Sequence, residues 1–173
     1  ATIEPGSPLD CEAARRGSSV YLPTGLIPMF PTSLSEGRFS LVAGEYRPTT
    51  SFLVTLDAAD RVLESRVVTG VIRIGHRMTY SQADEILADP TAELHEGLTA
   101  LERFAGRYRQ RRVECGALIL ELPEVKVQVK GGEVAVSRIP SSASRRMVAE
   151  LMVLAGKLAA DLCLKERIPT VYR

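Results

Sequence analysis

The sequence predicts an α+β fold, in which a mixed or antiparallel sheet packs with several helices. Residues 49–57 and 61–74 are rich in Val, Ile, Leu and Thr, a composition typical of paired strands. Residues 91–114 and 142–165 instead repeat apolar side chains at helical spacing. No internal repeat or low-complexity linker interrupts these elements, so we expect residues 1–173 to form a single domain segment.

The first predicted element is a short helix at 8–16. Ser7 supplies a capping hydroxyl, and Pro8 has the backbone angle that suits a first helical turn. Gly17 can end the helix, because glycine enters the left-handed region without strain.

A polar turn at 57–60 separates the two long predicted strands. Its composition predicts that the strands pair as a hairpin. Asp57 and Asp60 could also be read as paired catalytic carboxylates. Because the turn explains both aspartates, neither is assigned to a site.

The second half of the chain predicts a helix, a hairpin and the two longer helices described above. Ser81 precedes acidic residues that favour a helix start, and that helix should end near 89–90. Residues 117–129 and 133–138 alternate as strands do, around a pair of glycines that suits a tight turn.

The charge balance argues weakly against an isolated nucleic-acid-binding module. The chain carries 22 basic and 21 acidic residues, for a formal net charge of +1. Its arginines are nonetheless clustered, at Arg103, Arg107, Arg109, Arg111 and Arg112 and again at Arg145 and Arg146. Solvated helix faces are the ordinary interpretation of such clusters, and a surface that faces phosphates is the alternative.

Cysteine usage and hydropathy favour a cytoplasmic protein. Cys11, Cys115 and Cys163 are scattered, odd in number and not at metal-ligand spacing, as is typical of a reducing compartment. No apolar run approaches the roughly 18 residues of a membrane span. The chain begins at Ala1 and stops in an extended stretch, so we expect both ends to be cuts through a longer protein.

The sequence contains no recognisable catalytic or metal-binding motif. His76 and His95 are far apart, with no cysteine or carboxylate at ligand spacing. The sequence contains neither a phosphate-binding glycine loop nor a nucleophile elbow. We therefore predict no covalent catalysis by these residues.

Short motifs in a fixed order resemble the RNB catalytic domain of ribonuclease II-type enzymes. The string Val-Tyr-Leu-Pro at 20–23 is followed by Ile-Pro-Met at 27–29. The full set of similar segments is 5–10, 14–23, 27–29, 40–41, Arg47, 70–73, 79–80, 112–117, 122–125 and 148–155. No single match is specific for the family, but the order and spacing of the matches together are specific for it.

The resemblance implies a magnesium-dependent, processive exoribonuclease that hydrolyses single-stranded RNA from its 3′ end to nucleoside monophosphates. It covers only the middle of the RNB domain, and in the family the acidic magnesium cluster lies just before this segment. The segment alone is therefore expected to be inactive. The resemblance also implies OB-fold RNA-binding domains on either side in the parent protein, which we expect to act as a monomer.

Two tyrosines occupy positions at which the resemblance implies RNA contact. The stacking tyrosine of the family falls on Tyr21, and a second tyrosine, near the scissile nucleotide, falls on Tyr80. An aromatic face stacks on any base, with a contribution of about 1–3 kcal/mol per base. The alternative for each residue is a half-buried tyrosine with a hydrogen-bonded hydroxyl.

The sequence departs from the family pattern at two positions that bear on RNA recognition. Leu120, before Glu121, stands where the family often has a second stacking ring. Ala149, before Glu150, stands where ribonuclease II proper has an acid that approaches a ribose, which puts recognition of the 2′-hydroxyl in doubt. A catalytically degenerate clamp that holds RNA without cutting it is therefore the alternative function.

Overall fold

The computed structural model describes residues 3–120, 122 and 124–171 and confirms an α+β fold. The helices are α1 Pro8–Arg16, α2 Tyr80–Ala88, α3 His95–Glu114 and α4 Ala143–Lys165. The strands are β1 Val20–Leu22, β2 Gly25–Ile27, β3 Tyr46–Leu56, β4 Val62–Arg73, β5 Glu124–Lys130 and β6 Glu133–Ile139. A short π-helical segment spans Ser33–Arg38.

Consecutive strands pair within the described residues as three separate two-stranded sheets, β1–β2, β3–β4 and β5–β6. The chain divides into two compact units. The described residues of the first unit fall within Ala1–Arg47, Arg73–Gly75 and Pro123–Pro140. Those of the second unit fall within Pro48–Ile72, His76–Leu122 and Ser141–Arg173.

Helix α1 of the first unit has the ends that the sequence predicts. The Ser7 Oγ accepts a hydrogen bond from the backbone N–H of Asp10 at 3.3 Å. Gly17 ends the helix in the left-handed region, with φ of +71°. Local capping chemistry is thus sufficient to fix this element.

The β1–β2 hairpin follows α1 and is absent from the sequence prediction. Its register pairs Val20 with Ile27 and Tyr21 with Leu26. Each strand is three residues long, which is too short for an alternating pattern to be recognised in the sequence.

The second unit is built on a core between α3 and α4. Phe104, Leu154 and Leu158 are buried there, and their partly buried neighbours are Phe52, Val54, Leu56, Tyr108 and Leu151. Phe104 and Tyr108 stack with ring centroids 5.9 Å apart. Strand β3 therefore packs on the two long helices through its alternate side chains.

The turn between β3 and β4 confirms the structural interpretation of its two aspartates. The Asp57 carboxylate accepts hydrogen bonds from the backbone N–H groups of Arg61, at 2.8 Å, and Ala59, at 2.9 Å. These bonds and the Arg61 side chain hold the pKa of Asp57 below its ordinary value. Asp60 has a positive φ of 57° and accepts a hydrogen bond from Arg107 at 2.8 Å.

Most arginines of α3 contact acids or carbonyl groups within the fold, a role that neither sequence interpretation includes. Arg107 binds the Asp60 carboxylate, and Arg111 donates to the carbonyl of Asp60. Arg112 pairs with Glu150 of α4 at 2.6 Å, with Arg109 4.0 Å from the same carboxylate. These arginines therefore hold parts of the second unit together, although Arg107 is also 52% exposed to solvent.

Two helix starts and two strand starts differ from the prediction, and one of these is β3, which begins at Tyr46 and not at residue 49. Helix α2 is capped by Thr79, not Ser81, because Thr79 and Gln82 form a reciprocal capping box. Helix α3 begins at His95 instead of residue 91, because the Asp89 carboxylate binds the N–H and hydroxyl of Thr91 in a turn. Strand β5 begins at Glu124, not at residue 117.

The first turns of α2 and α4 are joined by Ser144, which is 1% exposed. Its hydroxyl donates to the Tyr80 carbonyl at 3.1 Å, and its N–H donates to the Asp84 carboxylate at 3.0 Å. Partial burial acts to raise the pKa of Asp84, but hydrogen bonds from Ser144 and Ser142 together hold it below its ordinary value. An ionised Asp84 therefore favours this contact.

We predict that Arg112→Ala lowers the free energy of unfolding of the full-length protein by about 3 kcal/mol, because it removes the closest cation from a buried carboxylate. The Glu150 side chain is 10% exposed, so water cannot readily replace that cation. The control is Arg15→Ala, which removes a surface pair whose arginine is 73% exposed and should therefore lower stability much less. Denaturant unfolding that gives equal losses for the two variants would contradict the assignment.

A second prediction concerns acid stability. Because the pKa of Asp84 is lowered in the fold, its stabilisation is present above the unfolded pKa of about 4 and is lost as the pH falls through the folded value. The melting temperature of the full-length protein should therefore exceed that of Asp84→Asn most near neutral pH. The difference should shrink below about pH 4. A difference that stays constant from neutral pH into this acid range excludes the Asp84 contribution.

Candidate functional site

Tyr21 lies in the middle of β1 and is 81% exposed. Its cross-strand partner is Leu26, which is 43% exposed. No other aromatic ring of the described residues stacks on it. An aromatic side chain this exposed leaves a ring face free to stack on a flat ligand.

Hydrogen bonds hold the backbone on both sides of Tyr21. The Ser19 hydroxyl accepts from the N–H of Met29 at 2.9 Å, which closes the open end of the β1–β2 hairpin. At its turn, the Pro23 carbonyl accepts from the N–H of Val129 in β5 at 3.1 Å. The ring is therefore presented by a fixed strand, so little backbone ordering is needed when it binds.

Tyr80 is the first residue of α2 and is 39% exposed. The Thr79 cap and the bond from Ser144 to the Tyr80 carbonyl fix its backbone. Its ring lies under the Arg145 guanidinium, with the Arg145 Cζ 4.4 Å from the ring centroid. The structure thus places Tyr80 in the second unit and Tyr21 in the first.

A cavity of about 500 Å³ opens beside Tyr80. The polar residues that line it are Thr79, Ser81, Ser144 and Arg145. Its apolar walls are Met78, Ala83, Leu98, Met147 and Val148. This volume lies in the range of about 300–1,000 Å³ that is typical of small-ligand sites.

The two departures from the family pattern that bear on RNA recognition are both at the surface. Leu120 is 80% exposed in an irregular segment, and Glu121 lies outside the described residues. Ala149 is exposed on α4, whereas its neighbour Glu150 is 8% exposed and turns toward α3. A methyl group therefore occupies the surface position at which the resemblance implies an acid.

The described residues contain no group of three His, Cys, Asp or Glu side chains placed to hold a metal ion. The Nδ1 atom of His95 lies 3.0 Å from the Ile86 carbonyl, which is a structural contact between α3 and α2. In the part of the chain that the structure describes, no helix is long and apolar enough to cross a membrane.

Curated relatives of the chain are ribonucleases. The chain is 36% identical over 172 residues to an uncharacterized ribonuclease of Synechocystis sp.. The matched region covers 99% of this chain and 26% of that protein. It is 34% identical over 180 residues to ribonuclease R of Thermotoga maritima, covering 99% and 25% respectively. The chloroplastic/mitochondrial ribonuclease II of Arabidopsis thaliana is 34% identical over 177 residues, covering 99% and 22%. The chain thus spans about a quarter of the length of these relatives.

Solved structures share the fold. Mycoplasma genitalium RNase R in complex with ribose-methylated single-stranded RNA matches with a TM-score of 0.88 at 22% identity, covering 96% of this chain and 27% of that one. Yeast Ssd1, a pseudonuclease, matches with a TM-score of 0.71 at 23% identity, covering 94% and 20%. The sequence model of the RNB domain matches residues 1–173. The chain therefore belongs to the RNB domain family.

Proposed function

We propose that this chain is the central part of the RNB domain of a magnesium-dependent, processive exoribonuclease. The parent protein hydrolyses single-stranded RNA from its 3′ end and releases nucleoside monophosphates. The observation that carries the proposal is the match to the RNB domain through residues 1–173. Relatives named ribonuclease R and ribonuclease II along almost the whole chain support it.

The role proposed for this segment is to hold the RNA strand. Tyr21 stacks on a base, and its 81% exposure on a hydrogen-bonded hairpin supports that role. Stacking on a ring tolerates every base, which suits an enzyme that moves along a strand of any sequence. Tyr80 is the second RNA-contacting residue, and the cavity beside it gives a nucleotide room.

The described residues do not fit the magnesium that the family implies, since they offer no cluster of three suitable side chains. We therefore assign the magnesium ligands to the parent protein outside this segment. OB-fold domains of the parent would supply the positive charge that a segment of net charge +1 lacks. We further propose that the parent is a cytoplasmic monomer.

The alternative is a clamp that binds single-stranded RNA without cutting it. Two departures from the family pattern motivate it as the alternative to the nuclease: Leu120 stands at the exposed position of a family ring, and Ala149 stands at the position of an acid. A pseudonuclease also shares the fold, so the fold by itself does not separate the two functions.

We predict that the full-length protein with magnesium shortens end-labelled single-stranded RNA progressively from the 3′ end. A denaturing gel over time should show a ladder of shorter 5′-labelled strands and release of monophosphates. The 173-residue segment alone is the control and should leave the RNA intact, because it lacks a carboxylate cluster among its described residues. Full-length protein that binds RNA but never shortens it would identify the clamp.

We predict that Tyr21→Ala in the full-length protein weakens single-stranded RNA binding by about 1–3 kcal/mol, roughly a tenfold to hundredfold rise in Kd. Tyr21→Phe should be nearly silent, because stacking requires the ring and not the hydroxyl. Neither variant should lower the melting temperature, since the side chain is 81% exposed. Unchanged RNA affinity in a folded Tyr21→Ala protein removes Tyr21 from the site.

A further inference from the structure

The Tyr80 ring is covered by a side chain to which the family resemblance gives no role. Arg145 is the third residue of α4, and its Cζ lies 4.4 Å from the ring centroid. Cation–π attraction acts within about 6 Å, so the guanidinium holds the ring. Ser144, the preceding residue, binds the Tyr80 carbonyl, so the backbones of the two residues are also held together.

The guanidinium of Arg145 retains donors that the described residues do not use. Among the described residues, the Arg145 guanidinium contacts the Tyr80 ring. The backbone N–H of Arg145 donates to the Ser142 hydroxyl. The guanidinium groups of Arg107 and Arg112, by contrast, are bonded to carboxylates. Because a guanidinium carries five N–H donors and stays charged, Arg145 can still bind an anion.

Arg145 and Tyr80 lie together on the wall of the cavity of about 500 Å³. Other walls of this cavity are apolar and are formed by Leu98, Met147 and Val148. One fixed cation beside apolar walls and an aromatic ring suits a ligand with a flat ring and a negative group. A nucleotide within a strand has both.

We propose that Arg145 is an RNA-contacting residue that holds the Tyr80 ring and donates to a phosphate oxygen of the RNA backbone. The inference rests on the proposed function, because it takes the strand bound by the parent protein as the ligand. It adds the phosphodiester group as the feature that this cavity recognises. Positive charge on phosphates also makes RNA binding depend on salt, which gives the contact its own measurable signature.

The experiment measures Kd for a uniform single-stranded RNA without magnesium, over monovalent salt from about 50 to 300 mM. Wild-type full-length protein is compared with Arg145→Met, which removes the charge, and Arg145→Lys, which keeps it. The matched control is Arg66→Met on β4, where the side chain is 67% exposed and 3.8 Å from Glu64. Circular dichroism and thermal melts show which variants are folded.

Arg145→Met should raise Kd about tenfold at low salt and reduce the slope of log K against log salt by about 0.7 in magnitude. Arg145→Lys should keep the slope while binding less tightly than wild type, because lysine is a point charge that stacks poorly on a ring. Arg66→Met should keep the wild-type Kd and slope.

A wild-type slope in folded Arg145→Met protein overturns the phosphate contact, whatever its affinity. If Arg145→Met melts at a lower temperature, the Lys variant decides: equal slopes in the Met and Lys variants overturn the contact, and a reduced slope in Met alone supports it. Wild-type protein that does not bind RNA overturns the proposed function and this inference together. Binding without shortening overturns only the catalytic part.

Discussion

The buried carboxylate of Glu150 is the constraint on which the second unit depends. Glu150 lies on the same face of α4 as the core residues Leu154 and Leu158, one and two turns away. A charge on an otherwise apolar stripe is tolerated only with a cation beside it, and Arg112 of α3 supplies that cation. The pair therefore helps to fix which face of α3 meets α4, where Phe104 of α3 packs with Leu154 and Leu158 of α4.

Because arginines of α3 are bonded within the second unit, the basic cluster in the sequence does not by itself indicate a surface that attracts RNA. Arg107, Arg111 and Arg112 look like a basic surface in the sequence, yet each is bonded to an acid or a carbonyl within the second unit. With a net charge of +1, long-range attraction of a phosphate backbone is weak. The RNA binding that we propose for this segment would then depend on short-range contacts, and an exposed ring such as Tyr21 is the kind of group that supplies them.

Local chemistry made much of the fold predictable. A helix cap and an apolar stripe each depend on residues that are close together in the sequence. The helices capped by Ser7 and Ser142 therefore lie close to the predicted ranges. The start of α3 was missed because a turn at Asp89 outcompetes the helical pattern. The site was predictable only by resemblance: exposure of Tyr21 is a tertiary property, and the Arg145–Tyr80 contact joins residues far apart in the sequence.

Three acids of the segment are used by contacts within the fold. Asp57 closes a turn, Asp84 joins α2 to α4, and Glu150 pairs with Arg112. Each of these carboxylates is bonded to donors of the fold, and moving one to a metal would leave those donors without a partner. Acids that hold the fold are poorly suited to be metal ligands as well. In the proposed enzyme, other carboxylates of the parent would therefore bind the metal, while the exposed Tyr21 ring and the Tyr80 ring beside Arg145 would contact the RNA strand.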